Sequence, residues 1–173
     1  MRTDVLLISE EYLKQRSLVN DNVDACYISP SIIDAQEIYL QQIIGTKFLR
    51  KLYQLVESGD IETAPASAYK ELLEQYIQPY LVYKVQSQLL LAVFAKIRNQ
   101  GVVNYVDTNT TQMTQADINF LKSDFDSKAS FEADRMTRYI IAHATDYPEW
   151  GSCDDCSDMH SNPTNTFKCP ITL

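Results

Sequence analysis

The amino-acid sequence predicts an all-α fold: a helical bundle of four main helices with a short N-terminal helix. Two observations carry this. Apolar residues recur at intervals of three and four along most of the chain, the period of a helix with one buried face. The joints between these stretches hold stop and start residues, among them Gly45, Gly59, Gly101, Ser9 and Thr114.

Taken in order, Ser9 caps a short helix EEYLKQR, acidic at its start and basic at its end as the helix dipole favours. From Leu18 to Ile28 no period holds, and the segment reads as an extended arm. Ser29-Pro30 reads as an N-cap and first-turn proline. The helix they open carries Ile32, Ile33, Gln36, Tyr39, Leu40, Ile43 and Ile44 on one stripe, with Gly45 as its left-handed C-cap. Thr46 caps the next helix, KFLRKLYQLVES, which stops at Gly59, and the short joint predicts an antiparallel or sharply angled pair.

Ser67 starts a helix through Tyr69, Leu72, Leu73, Tyr76 and Ile77, and Pro79 either kinks it or opens the next one. PYLVYKVQSQLLLAVFAKIRN is apolar around most of its circumference and is the expected central helix, with Lys96, Arg98 and Gly101 forming its C-terminus. VVNYVDTNTTQM at 102–113 is β-prone and then polar, an extended loop, flap or small hairpin. Thr114 and Asp117 resemble a capping box for a long helix that Tyr147-Pro148 stops. Residues 1–150 thus form one helical domain. Residues 151–173 follow as an irregular, cysteine-containing extension.

Composition narrows the function classes. A content of 45% hydrophobic and 22% charged residues is that of a soluble globular protein. The sequence predicts no secretory leader, because Arg2-Thr3-Asp4 is followed by only a short apolar stretch, and synthesis in a cytoplasm is expected. The longest apolar run, LLLAVFA at 89–95, is about a third of a membrane span, so no membrane partner is expected. A formal charge of −8 with scattered basic residues argues against a tight grip on nucleic acid, which needs clustered lysine and arginine.

The chemistry-bearing residues are few. Cys153, Cys156, His160 and Cys169 are the candidate metal ligands, a Cys₃His set for zinc. Strong zinc signals pair two close doublets, whereas here the second half is a lone histidine and a lone cysteine. A redox role for CDDC is opposed by Asp154 and Asp155, which raise thiol pKa values. The expectation is therefore a polar extension with reduced cysteines and no cofactor. His143 lies beside an apolar stripe with no nucleophile supplied, and carboxylate pairs such as Glu10/Glu11 and Asp124/Asp126 read as solvated surface. No nucleophile elbow or phosphate-cradling glycine loop is found, so no enzyme is expected and no catalytic residue is assigned. The eleven tyrosines point instead towards protein–protein contact, where that side chain is enriched.

Five stretches follow a recognisable order: ISEEYLKQRSLVNDNVD, ISPSIIDAQEIYLQQIIGTKFLRKLY, YKELLEQYIQPYLVYKV, KIRNQGVV and Tyr147-Pro148-Glu149-Trp150. This order, over roughly residues 7–150, resembles the head–tail connector (head-completion, adaptor) proteins of tailed phages of Bacteroides-type hosts, including crAss-like phages. The hallmark stripe runs from Ile32 through Ala35, Gln36, Tyr39, Leu40, Ile43 and Ile44 to Gly45. The resemblance implies a structural virion protein of the neck, forming a ring, usually twelve-fold, beneath the portal. Its implied partners are further copies of itself, the portal protein and other neck or tail rings, with DNA passing through the channel unbound. An acidic wall suits that passage, because it denies DNA phosphate contacts. The alternative reading is a small all-α regulatory protein or a zinc-stabilised interaction module.

Overall fold

The computed structural model describes residues 5–19, 23–98, 101–104 and 114–150. They form α1 (Glu10–Arg16), α2 (25–44), α3 (Thr46–Ser58), α4 (67–94) and α5 (Gln115–Ala142). A two-stranded antiparallel hairpin, β1 (Ala95–Arg98) with β2 (Gly101–Asn104), connects α4 to α5. Four long helices and a short N-terminal one are the predicted architecture. α4 is central, packed along α2 on one side and α5 on the other. Among the described residues no helix is long and apolar enough to cross a membrane.

Local chemistry explains where these helices begin. The Ser9 hydroxyl accepts from the Tyr12 amide at 3.0 Å and starts α1 as expected. α2 begins earlier than Ser29-Pro30 suggested, because Asp24 takes the Cys26 amide at 3.2 Å and caps the helix at Ala25; the expected arm at 18–28 is therefore helical from Ala25, and of the rest Leu18, Val19, Val23 and Asp24 are described. Pro30 therefore lies inside α2, which gives up one intrahelical bond there. α5 carries the full reciprocal capping box: the Asp117 amide donates to Thr114 Oγ1 at 3.2 Å, and the Thr114 amide donates to Asp117 Oδ2 at 3.0 Å.

Two wide helical turns were not foreseen. In α2 the Gln41 amide donates to the Gln36 carbonyl five residues back, and in α4 the Gln78 amide donates to the Leu73 carbonyl. The second lies directly before Pro79, and by opening the turn it relieves the crowding a proline ring imposes on the preceding carbonyls. α4 thus continues through Pro79 as one helix. The first wide turn presents Gln36 to the interior, where it is 1% exposed. Its Oε1 accepts from the Leu7 amide at 2.7 Å, and its Nε2 donates to the Val5 carbonyl at 3.0 Å and the Tyr53 hydroxyl at 3.1 Å. One side chain thereby serves the N-terminal segment as a strand neighbour would, and ties it to α2 and α3. Burial pushes the Tyr53 phenol up to about 12, a trend the Gln36 bond opposes.

The helix ends depart further from expectation. Gly45 adopts φ 82° and ψ 159°, a region open to glycine alone, rather than the left-handed helical cap. Thr46 is the first residue of α3, and its hydroxyl accepts from Gln41 Nε2 at 2.6 Å instead of capping the helix. Gly59 is the left-handed cap predicted for it, with φ 76° and ψ 1°. α4 stops at Phe94, not near Asn99. The backbone from Ala95 to Arg98 pairs with Gly101–Asn104, Ile97 opposite Val102, so carbonyls a helix end would leave unpaired enter a ladder. The expected flap at 102–113 is thus a strand as far as Asn104, and 105–113 lie outside the described residues, as does the extension 151–173.

The core is continuous. Ile32, Leu40, Leu52, Ile77, Leu81 and Met136 are fully buried and come from all four long helices. If Gln36 fastens the N-terminal segment, Gln36→Ala leaves the buried Leu7 amide without a partner. Urea unfolding should then show a loss of about 2–4 kcal/mol, and an unchanged midpoint would show that these bonds hold nothing.

Candidate functional site

Asp126 is the polar centre of the bundle. From α5 it faces α4, where Lys84 Nζ donates to its Oδ1 at 2.8 Å and Ser87 Oγ to the same oxygen at 2.9 Å. Lys122, one turn earlier on α5, donates to Oδ2 at 2.8 Å. Lys84 also lies 4.0 Å from the Tyr39 ring centroid, which brings α2 into the cluster. Burial alone would raise the Asp126 pKa, but the hydrogen bonds from Lys122, Lys84 and Ser87 outweigh it and hold the carboxyl at about 2. Tyr80 beneath the cluster is pushed above the ordinary phenol value, chiefly by burial and further by Tyr39 and Asp126. Sequence reasoning placed Asp124 and Asp126 on the solvated surface; both are part-exposed, but Asp126 also bonds across to α4, whereas Asp124 bonds to Lys128 one turn on along its own helix at 2.6 Å.

A second cluster closes the opposite end of the α4–α5 pair. Tyr147, 1% exposed, donates to the Ala68 carbonyl at 2.9 Å. Its ring packs edge-on against Phe48 of α3 at 5.7 Å and Tyr69 of α4 at 5.3 Å. Tyr69 donates to Glu149 Oε2 at 2.5 Å, so its phenol is raised by burial and by that carboxylate. Tyr76 stacks on Tyr139 at 4.2 Å, and His143 packs on the other side of this pair, 4.3 Å from Tyr139. His143 Nδ1 lies 3.0 Å from the Tyr139 carbonyl, a packed edge residue as expected. Of the ten described tyrosines, Tyr53, Tyr69, Tyr80 and Tyr147 are buried and the other six are half-buried; Tyr69, Tyr76, Tyr139 and Tyr147 join helix ends within the subunit.

Among the described residues, apolar side chains reach the surface in a groove and on the outer side of α5, besides single residues such as Ile38 and Ile141. A groove of about 210 Å³ is lined by Leu18 and Val23 from the arm, Leu90 and Val93 from α4, and Leu121 and Phe125 from α5. The arm is pinned beside it because the Leu18 amide donates to the Oε1 of buried Gln86 at 3.1 Å, leaving the Leu18 side chain 81% exposed. On the outer side of α5, Phe120 and Phe131 are 74% and 66% exposed. Among the described residues no group of three or more metal-ligating side chains comes together. The candidate ligands Cys153, Cys156, His160 and Cys169 lie outside the described residues.

A family model described as "Family of unknown function (DUF6712)" matches residues 40–159, more than half of the chain. The chain belongs to this DUF6712 family. No curated protein and no solved structure matches it. The DUF6712 match begins inside α2 and takes in Lys84, Ser87, Lys122 and Asp126, the aromatic cluster and the α4 and α5 walls of the groove. Gln36 and the arm precede it.

The Asp126 cluster has a defined pH signature. Its folded pKa of about 2 lies below the unfolded value of roughly 3.9. Its contribution is therefore fully present above about pH 4 and disappears as pH falls towards 2. At a side chain 32% exposed, solvent screening reduces that contribution to about 1–2 kcal/mol. Asp126→Asn should lose this amount at neutral pH and flatten the acid limb of stability between about pH 4 and 2. A variant whose acid limb matches the parent would show the cluster to be incidental.

Proposed function

We propose that this chain is a structural virion protein: a head–tail connector subunit that forms a ring at the portal vertex and joins portal to tail. It extends the DNA channel, and the resemblance gives the ring twelve copies. Its partners are its own copies, the portal and the neighbouring neck rings. DNA passes without specific binding, and no catalysis is assigned to the chain.

The observation that carries the reading is a helical subunit with unlike apolar surface features, the groove and the outer phenylalanines of α5. A closed ring of identical subunits needs two different faces on each copy, one to give and one to receive. The ordered run of stretches from ISEEYL to Tyr147-Pro148-Glu149-Trp150 supports the connector identity, and the hallmark stripe proves to be the inner side of α2. A net charge of −8 supports a channel wall that DNA slides past.

Purified chain should bind the assembled portal of the same virus, and native mass spectrometry of the complex should find one chain per portal subunit. A chain that neither binds portal nor occurs in purified particles contradicts the reading.

A further inference from the structure

We infer that the cleft holding the N-terminal segment is an exchange site: in the assembled ring, residues 5–8 of one copy occupy the cleft of the next. The choice of a second copy as donor rests on the ring reading above. The cleft is built by the two wide helical turns. The turn in α2 spans Ala35–Leu40 and carries Gln36, and the turn in α4 spans Leu73–Ile77 and ends against Gln78. Both glutamines address the same short stretch of chain. Gln36 accepts from the Leu7 amide and donates to the Val5 carbonyl, while Gln78 Nε2 donates to the Leu7 carbonyl at 3.2 Å. Wide turns break helix regularity and recur at functional positions. Here two helices packed together each carry one beside a single peptide.

That peptide is held as a bound ligand is held. The Val5 carbonyl and the Leu7 amide and carbonyl are groups that one edge of an extended strand offers, and side chains of the bundle take all three. Leu7 and Ile8 are buried, so apolar contact is added to main-chain readout, the combination that strand-addition sites use. None of these partners is local: the nearest in sequence is 29 residues away. The ligand whose fit the cleft displays is therefore this segment, and each copy carries both segment and cleft. Such a pair supplies the two unlike faces a closed ring needs, and the same contacts form in cis and in trans. The bond from Ser29 Oγ to Glu10 at 2.8 Å, which joins α2 to α1, is remade in the same way.

The connection allows the transfer. Ser17 to Asp24 join α1 to α2, and eight residues reach at most about 26–29 Å, roughly the width of two packed helices. Gln86 holds this connection by the Leu18 amide, while the Leu18 side chain stands exposed.

Photocrosslinking of mixed chains tests the exchange. Chain with p-benzoylphenylalanine in place of half-buried Leu6, and a second chain with it in place of half-buried Val5, are each mixed with isotopically heavy wild-type chain. The mixtures are irradiated free and bound to portal. The expected product joins the probe to heavy peptides containing Gln36, Tyr53 or Gln78. Gln36→Ala in the heavy chain should cut that capture at least about tenfold, because the segment then prefers intact clefts. Capture of light peptides alone, at both probe positions and in both conditions, means that the segment stays on its own subunit and overturns the inference. Heavy capture that Gln36→Ala leaves undiminished, or that falls outside the cleft, overturns it as well. Any of these results alongside intact portal binding leaves the connector reading standing, whereas failure of wild-type chain to bind portal counts against that reading alone.

Discussion

Asp126 ties the two longest helices together across their apolar seam, and the rest of the molecule packs on that pair. A carboxylate between helices is stabilising only when its partners repay the water it gives up. Here two ammonium groups and a hydroxyl do so from both helices: Lys84 and Ser87 on α4, and Lys122 on α5. Apolar packing tolerates sliding by a turn, but this arrangement does not, because a one-turn slip leaves Lys84, only 15% exposed, without its counter-charge. The aromatic cluster at the far end, where Tyr147 reaches back to Ala68 and Glu149 to Tyr69, fixes the same pair a second time.

The periphery is attached by polar hooks rather than by area. Gln36 holds the segment at Val5 and Leu7, and Gln86 holds the arm at Leu18. Both glutamines are buried: Gln36 meets backbone groups of the N-terminal segment with both ends of its amide, and Gln86 accepts from the Leu18 amide while donating to the Val82 carbonyl of its own helix. The groove is a consequence: the arm is held by its backbone, so its leucine side chain stands over the apolar sides of α4 and α5.

Much of this architecture was legible in the chain. Periodicity and capping residues give the number of helices, the start of α5 at Thr114–Asp117 and the stop at Gly59. What was not legible depends on partners remote in sequence or on backbone adjustment. Lys84 and Asp126 are 42 positions apart, so nothing local distinguishes Asp126, which bridges two helices, from Asp124, which bonds along its own. The passage of α4 through Pro79 needs a wide turn that no residue pattern announces, and Asp24 displaced Ser29 as a cap although both suit the role. The places of Tyr69 and Tyr147 were not legible, because tyrosine suits interfaces and cores equally and their neighbours Phe48 and Ala68 include residues remote in sequence.

The central claim is that α4 and α5 form one rigid unit that holds two unlike surface features in fixed relation, with α1 and the arm attached to it. Native-state amide hydrogen exchange tests it most directly. The account predicts that the slowest amides cluster in the middle of α4 and α5 and open only with global unfolding, while α1 and the arm open earlier as a separate step. Exchange of α5 at low free energy, independently of α4, would contradict it.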